Sequence, residues 1–478
     1  MSSEIKSKAV HGFAWSAIDN FANQGILFVI SVFLARILSP SDYGLIAMIS
    51  IVLAISNCFI NSGFGNALIR KTDLSDEDCS TAFYFNILVA GGCYLLVFVV
   101  APFVADFYER PILTPILRWQ AVTLILGSFI IVQKSIINKK IDFKTTAKIS
   151  TISNILSGII ALIMAYNAFG VWSLVGMGIS QSLLQLILFW FYSSWHPQFI
   201  WSKRSFDYLW NYGSKLLASG LLDTVFVNIY PIVIGKMFSP MSLGYYTRAQ
   251  GFAQLPSSNL TNIIQRVTFP LLSSMQTDDE RLSYNYRRLL RMSAFVIFPL
   301  MLGLAAVADP LINVLLTGKW AQTIIYLQII CFAMMWYPIH AINLNLLQVK
   351  GRSDLFLKLE IIKKIMAVVV IFCSVPFGVI GICYGSVVSS LLSLTINTYY
   401  TGRLINIGFL KQMRDIFLIL ILSIVASSIV LLVVDLLDNP LMSLFAGILI
   451  GLVIYLGLSK MFKVQEMYDI LDYLRKKK

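Results

Sequence analysis

From about residue 11 to residue 459 the chain keeps returning to apolar runs of roughly 18–25 residues, separated by short polar breaks. A run of that length crosses a bilayer as an α-helix, because each residue adds about 1.5 Å and the hydrocarbon core is about 30 Å thick. Lipid offers backbone N–H and C=O groups no partner, so such runs leave the chain few structures other than helices. The expectation is an all-α polytopic membrane protein. Composition agrees: 13% of the 478 residues are charged, against about 25% in a soluble domain, and mean hydropathy is +0.77. No room is left for a large soluble domain.

Fourteen spans are predicted, near 11–37, 41–66, 82–105, 113–133, 146–166, 170–194, 207–237, 241–266, 291–316, 322–347, 356–375, 378–402, 415–435 and 441–459. The basic N-terminus lacks a short apolar core with a small-residue cleavage site, so the first span is expected to be retained as a signal anchor. After the last span, Met461, Val464, Met467, Ile470, Leu471 and Leu474 recur at helical spacing opposite charges. That pattern predicts an amphipathic helix on the inner membrane surface.

Charge sets the orientation. With the N-terminus inside, the outer ends hold Arg36, Arg110, Arg118, Lys236, Arg248 and Lys319, leaving 31 of the 37 Lys and Arg towards the inner side. Cytoplasmic loops carry such an excess, which explains the net charge of +13 without a nucleic-acid partner. Both termini are therefore expected in the cytoplasm. Trp15, Trp119, Trp172, Trp195, Trp201, Trp210 and Trp320 fall near span ends, as an aromatic belt would.

One break between spans recurs. "RILSPSDYG" at 36–44 returns as "KMFSPMSLG" at 236–244, with the cation, Ser-Pro and Gly in matching positions. "FGVW" at 169–172 is echoed by "FGVI" at 377–380, and "KKIDF" at 139–143 loosely by "GRSDL" at 351–355. Spans 1–6 thus repeat as 7–12, and an even repeat enters the membrane in the same direction twice. The expected division is a six-helix lobe at 1–200, a second at 201–405, two appended helices at 406–460 and a tail at 461–478. Within the break itself, Ser39 suits an N-cap, Pro40 the first helical position and Asp42 the third, where it completes a capping box. Gly44 leaves space for a close neighbour.

Enzyme signatures are missing. The chain has no P-loop, GxSxG, HExxH or CxxC pair, and its histidines at 11, 196 and 340 are far apart in sequence. The six cysteines lie mostly in apolar stretches without metal or disulfide spacing, and "QTDDER" at 276–281 lacks the alternation of a calcium loop. No metal site or cofactor is expected.

What stands out instead is polar side chains inside spans, where they are costly and point to function. Span 1 carries Asp19 and Asn23 one turn apart; span 7 carries Lys215, Asp223 and Asn228; span 8 carries Arg248, Gln254 and Arg266. One reading is a water-filled cavity in which Arg248, Lys215, Arg36 and Arg266 hold an anionic headgroup. In it Asp19 and Asp223 couple to protons or sodium, and Asn23, Asn228 and Gln254 line the wall. The competing reading is local: Asn and Gln bonds between helices, neutralised acids, and Lys215, Arg36, Lys236 and Arg118 snorkelling to the interface. Arg266 also suits a helix C-terminus at the inner face.

The stretches "LARILSPSDYGLIAM", "FINSGFGNALIRK", "APFVADFYERPIL", "FGVWSLV", "IGKMFSPMSLGYYTRAQGFAQLP" and "LLTGKW" resemble the Wzx-type polysaccharide flippases. The likeness is to the colanic acid and exopolysaccharide exporter branch of the multidrug/oligosaccharidyl-lipid/polysaccharide exporter superfamily. It implies a two-lobed transporter, not an enzyme, in the bacterial cytoplasmic membrane. Such a protein moves glycans linked to undecaprenyl pyrophosphate to the outer leaflet, driven by an ion gradient and working beside a glycan polymerase. A multidrug or organic-cation exporter of the same superfamily is the alternative, and a membrane glycosyltransferase or polymerase a more distant one.

Overall fold

The computed structural model describes residues 23–61 and 63–476; Asp19 lies outside them. Among the described residues the secondary structure is helical, with no strand. Contacts divide the chain into two compact units, Met1–Gly244 and Tyr245–Lys478.

The first unit holds α1 (Asn23–Ile37), α2 (Pro40–Asn61), α3 (Phe64–Arg70), α4 (Asp76–Tyr108), α5 (Leu113–Gln120), α6 (Val122–Ser128), α7 (Ile131–Lys139), α8 (Phe143–Tyr166), α9 (Trp172–Tyr192), α10 (Lys203–Val227) and α11 (Ile229–Met237). The second starts within the first turns of α12 (Pro240–Ser273). It continues through α13 (Asp279–Ala306), α14 (Ala308–Leu315), α15 (Gln322–Met334), α16 (Tyr337–Val349), α17 (Ser353–Ser374), α18 (Gly378–Ile405), α19 (Phe409–Asp435), α20 (Pro440–Met461) and α21 (Gln465–Lys476).

Nine helices among the described residues are long and apolar enough to cross a membrane, or up to eleven if each of two bent pairs is one span. The difference from fourteen has physical sources. Ser353–Ile405 counts once, although a 3-10 turn at Val375–Phe377 separates α17 from α18. The 34-residue α12 is crowded with Gln, Asn, Ser and Thr. Only the second part of the first span is described.

Caps form where the sequence places them. The Ser39 backbone N–H donates to Asp42 Oδ2 at 2.9 Å, and the Asp42 N–H donates back to Ser39 Oγ at 3.3 Å. At the repeat copy the Ser242 N–H donates to Ser239 Oγ at 3.1 Å. Ser75 starts α4 with a full capping box through Asp78. Asp78, completely buried, also receives Lys71 Nζ at 2.6 Å. Burying that carboxylate is tolerable because a cation, a hydroxyl and a backbone N–H all point at it.

The two copies of the Ser-Pro break also meet, inside the first unit. A Cβ on Gly44 would lie 1.7 Å from the Pro240 carbonyl oxygen, and one on Gly244 would lie 1.8 Å from the Pro40 carbonyl oxygen. Each glycine thus admits the other copy's proline backbone. Glycine is required there by space, since neither residue has a positive φ.

In the second unit, α19 and α20 close against α13 and α14 through Val307, Val430, Val434 and Leu444, with Gly447 opposite Val307. A buried amide knot ties α19 to α16 and α18. Gln412 Nε2 donates to Asn343 Oδ1 at 3.2 Å and to Thr401 Oγ1 at 3.1 Å, while Asn343 Nδ2 donates to Gln412 Oε1 at 3.1 Å. The tail helix α21 is held by side chains as well as by its amphipathic face. Arg291 pairs with Glu466 at 2.6 Å and Arg288 with Asp469 at 2.9 Å.

Candidate functional site

The polar residues singled out in the sequence fall into three groups. In the first unit the central element is the bent pair α10–α11, which turns by 40° at Asn228. Asn228 sits in the break: its Nδ2 donates to the Thr224 carbonyl at 2.8 Å, and Ser50 Oγ lies 3.5 Å from its Oδ1. One turn earlier, Thr224 Oγ1 is 2.9 Å from Cys58 Sγ on α2. A side chain that bonds back to its own i−4 carbonyl competes with the helical ladder, which gives the bend a local cause. Lys215 and Asp223 lie on α10 eight residues apart, and both are exposed. Thr224 and Ser50 carry no signal of their own in the sequence that marks them as site residues, and Cys58 reads there as one more cysteine in an apolar stretch. Only the i, i+4 spacing of Thr224 and Asn228 signals this cluster in advance.

Asn23 belongs to a different neighbourhood. Its Oδ1 accepts from Thr151 Oγ1 at 3.2 Å and from Asn154 Nδ2 at 3.0 Å, and Gln181 Nε2 donates to Asn154 Oδ1 at 2.6 Å. The three helices α1, α8 and α9 are thereby stitched by amides, as membrane helices often are. Arg36 is exposed at the end of α1. Lys236, its repeat counterpart, pairs with Glu109 at 2.9 Å. Arg118 Nε donates to the Phe98 carbonyl at 3.2 Å, with its guanidinium 3.9 Å from the Phe98 ring centre.

In the second unit Arg248 is half-buried on α12, its guanidinium carbon 5.8 Å from the centre of the Trp320 ring. Trp320 is fully buried, edge-on to Tyr245 at 6.0 Å. This corrects the aromatic-belt expectation for Trp320. A 3-10 turn at Gly318–Trp320 tucks the indole into the unit, where its π face sits beside a cation. Gln254 and Arg266 are exposed on the same helix. The expectation that Arg266 ends a helix fails too. Helix α12 continues past Pro270 to Ser273, and Pro270 removes the bond that the Arg266 carbonyl would receive. His340 is held between Ser390 Oγ at 3.2 Å and Asn397 Nδ2 at 3.3 Å. "QTDDER" proves structural: Asp278 caps α13, and Asp279 pairs with Lys350.

No group of three or more His, Cys, Asp or Glu side chains capable of holding a metal occurs among the described residues. The chemistry on offer is fixed charge and amide polarity inside membrane-crossing helices.

The comparisons with known proteins agree with this architecture. The chain is 26% identical to the teichuronic acid biosynthesis protein TuaB of Bacillus subtilis, over 73% of each chain. It is 23% identical to the lipopolysaccharide biosynthesis protein WzxC of Escherichia coli, over 83% of this chain and 81% of that one. Its fold matches the lipid II flippase MurJ in an inward closed conformation, with a TM-score of 0.76 at 15% identity, covering 94% of this chain and 98% of that one. It also matches an inward-facing multidrug resistance MATE family transporter, with a TM-score of 0.59 at 13% identity, over 79% and 94% of the two chains. A family model described as polysaccharide biosynthesis protein matches residues 33–325. This multi-pass, all-helical membrane chain therefore belongs to the polysaccharide biosynthesis protein family.

Proposed function

We propose that the protein translocates lipid-linked oligosaccharide units, carried on undecaprenyl pyrophosphate, across the bacterial cytoplasmic membrane by alternating access. Both termini are cytoplasmic in this reading. The chain works as two repeats at 1–200 and 201–405, with an appended helix pair at 406–460 and a tail at 461–478. Arg248, Lys215, Arg36 and Arg266 hold the anionic head. Asp19 or Asp223 takes up a proton or sodium ion, and Asn23, Asn228 and Gln254 supply polar wall. Membrane lipids surround the protein, and a glycan polymerase receives its product.

The observation that carries the reading is the character of α10. Lys215 and Asp223 stand exposed on a membrane-crossing helix that breaks at Asn228. Ionised groups do not face hydrocarbon without severe cost, so a water-filled passage is the environment that accommodates them. Moving a pyrophosphate through the bilayer needs fixed cations for the same reason. Membership in a polysaccharide biosynthesis family supports a glycan as the cargo.

Reconstitution in liposomes with a fluorescent polyprenyl-pyrophosphate oligosaccharide tests this. Translocation by the wild type should fall by at least about tenfold, the equivalent of 1.4 kcal/mol, in Arg248→Ala and in Asp223→Ala, with both variants still inserted. Absence of glycan transport alongside efflux of cationic dyes would instead establish a multidrug exporter. Near-normal transport by both variants would remove them from the site.

A further inference from the structure

The second unit holds a titratable side chain that the cation set does not use. His340 is half-buried on α16 and bonded at both ring nitrogens. Its neighbours dictate where the hydrogens are. Ser390 Oγ donates to the Ala333 carbonyl at 2.9 Å, and a carbonyl only accepts. Ser390 therefore has lone pairs alone to offer His340 Nε2 at 3.2 Å, so Nε2 carries a hydrogen. At the other nitrogen, Asn397 presents its Nδ2, a donor, 3.3 Å from Nδ1, so Nδ1 is bare. The ring is the neutral Nε2–H tautomer. Asn397 keeps this orientation although its own Oδ1 is left buried without a partner.

A second proton has no place in this packing. On Nδ1 it would meet the Asn397 amide donor against donor, and Lys363 of α17 adds a like charge within electrostatic reach. Lys363 itself pairs with Glu360, one turn earlier. Helices α15 and α18 contain no acid, and Arg403 of α18 stacks on Tyr399 at 4.6 Å. Helix α13 brings Tyr286, beside Thr401 and Gln412, and Arg287, Arg288 and Arg291, each on a carboxylate. Its own acids, Asp279 and Glu280, lie in its first turn. Helices α12 and α19 bond to α16 through neutral pairs, Thr268–Asn345 and Gln412–Asn343. Stitching helices together does not call for an imidazole either. The first unit joins α1, α8 and α9 with amides and a hydroxyl, and so does the knot at Gln412. What His340 adds is a charge that changes between about pH 5 and pH 8.

We infer that His340 is a proton latch: α16 closes on α18 around the neutral ring alone, and the ring takes up a proton only as those helices part. The proton comes from water and binds the Nδ1 lone pair, which Asn397 covers in the closed packing. The sign follows from that exclusion. A proton bound by the parted form alone favours parting, so the contact is complete in alkali and weakens as pH falls. An exposed histidine titrates near 6.5, so below that value the parted population rises about tenfold per pH unit. Between about pH 8 and about pH 5 the rise is about thirtyfold. Thr401, one turn beyond Asn397, donates to Asn343 Oδ1 at 3.0 Å, so parting also loosens the knot that holds α19. The latch does not depend on the cargo. It adds to the translocation reading a proton-driven opening within the second unit.

Hydrogen exchange on the full-length protein in nanodiscs tests the latch against His340→Gln, whose amide keeps an acceptor and a donor but does not titrate. Comparing the two proteins at one pH cancels the intrinsic pH dependence of exchange. Relative to the variant, the wild type should open α16 and α18 about thirtyfold more readily at about pH 5 than at about pH 8. An equal response in both proteins overturns the inference. Asn397→Asp places an acceptor against Nδ1 and should flatten the acid response to that of His340→Gln; a response as steep as the wild type's overturns it too. The wild type alone gives a second reading by solid-state NMR of 15N-histidine, since the chain has three histidines. In alkali His340 should show a bare Nδ1 and a protonated Nε2. An Nδ1–H tautomer, or a doubly protonated ring while exchange stays slow, overturns the latch. If the exchange contrast holds while the wild type moves no glycan in liposomes, the translocation reading falls and the latch stands. Glycan transport with equal exchange responses brings down the latch alone.

Discussion

Replacing Gly44 by alanine places one methyl group where the structure has a backbone. That Cβ would sit 1.7 Å from the Pro240 carbonyl oxygen and 2.5 Å from the carbonyl carbon. An unstrained carbon–oxygen contact is about 3.5 Å, so the two Ser-Pro turns must part by about 2 Å. Overpacking a tight site costs about 1–3 kcal/mol, and the top of that range applies because a backbone carbonyl cannot rotate away as a side chain would. A penalty of about 3 kcal/mol is a change of roughly a hundredfold in the folded-to-unfolded ratio. The measurement is the thermal unfolding midpoint of the full-length protein in nanodiscs, with Gly251→Ala as the control. Gly251 lies further along α12 with nothing within 4 Å of its Cβ position. Alanine there should be neutral or stabilising by up to about 1 kcal/mol. Gly244→Ala should resemble Gly44→Ala, and the double variant should cost less than their sum, because one separation relieves both clashes. Equal midpoints for Gly44→Ala and Gly251→Ala would refute the close-approach argument.

Asp78→Asn should destabilise the first unit by about 3 kcal/mol, because Lys71 loses the fully buried carboxylate it pairs with. The double variant Lys71→Met/Asp78→Asn should recover part of that loss in the same midpoint assay. Gln412→Leu opens the amide knot and leaves Asn343 and Thr401 underbonded, for about 2 kcal/mol. Hydrogen exchange should show faster opening at the start of α19, and an unchanged exchange rate there would count against the knot. Arg291→Ala together with Arg288→Ala should free α21 for limited proteolysis. These ion pairs are partly exposed, so the effect is about 1 kcal/mol each and should be mimicked by high salt in the wild type.

Transport readings depend on residues whose placement the sequence conveyed only partly. Lys215, Asp223 and Asn228 were visible as polar intrusions in a span, because charge in an apolar run is a local property of the chain. Which helix each meets is not local. Asn23 looked like Asn228 in sequence, yet it joins an amide network with Thr151, Asn154 and Gln181, residues more than 120 positions away. Trp320 looked like other interfacial tryptophans, yet it is buried beside Arg248.

The sequence by itself determined that the chain is helical and membrane-crossing, where its helices are capped and that a Ser-Pro break with its cation and glycine recurs 200 residues on. Each of these follows from the length of apolar runs, the solvation of backbone groups in lipid, or hydrogen bonds three residues apart. Only the tertiary structure decided that the two Ser-Pro copies pack glycine to proline, that α10 breaks at Asn228, and that His340 sits between Ser390 and Asn397. Those features arise where distant segments meet, and the geometry of such a meeting is fixed by the packing of whole helices rather than by the spacing of residues along one of them.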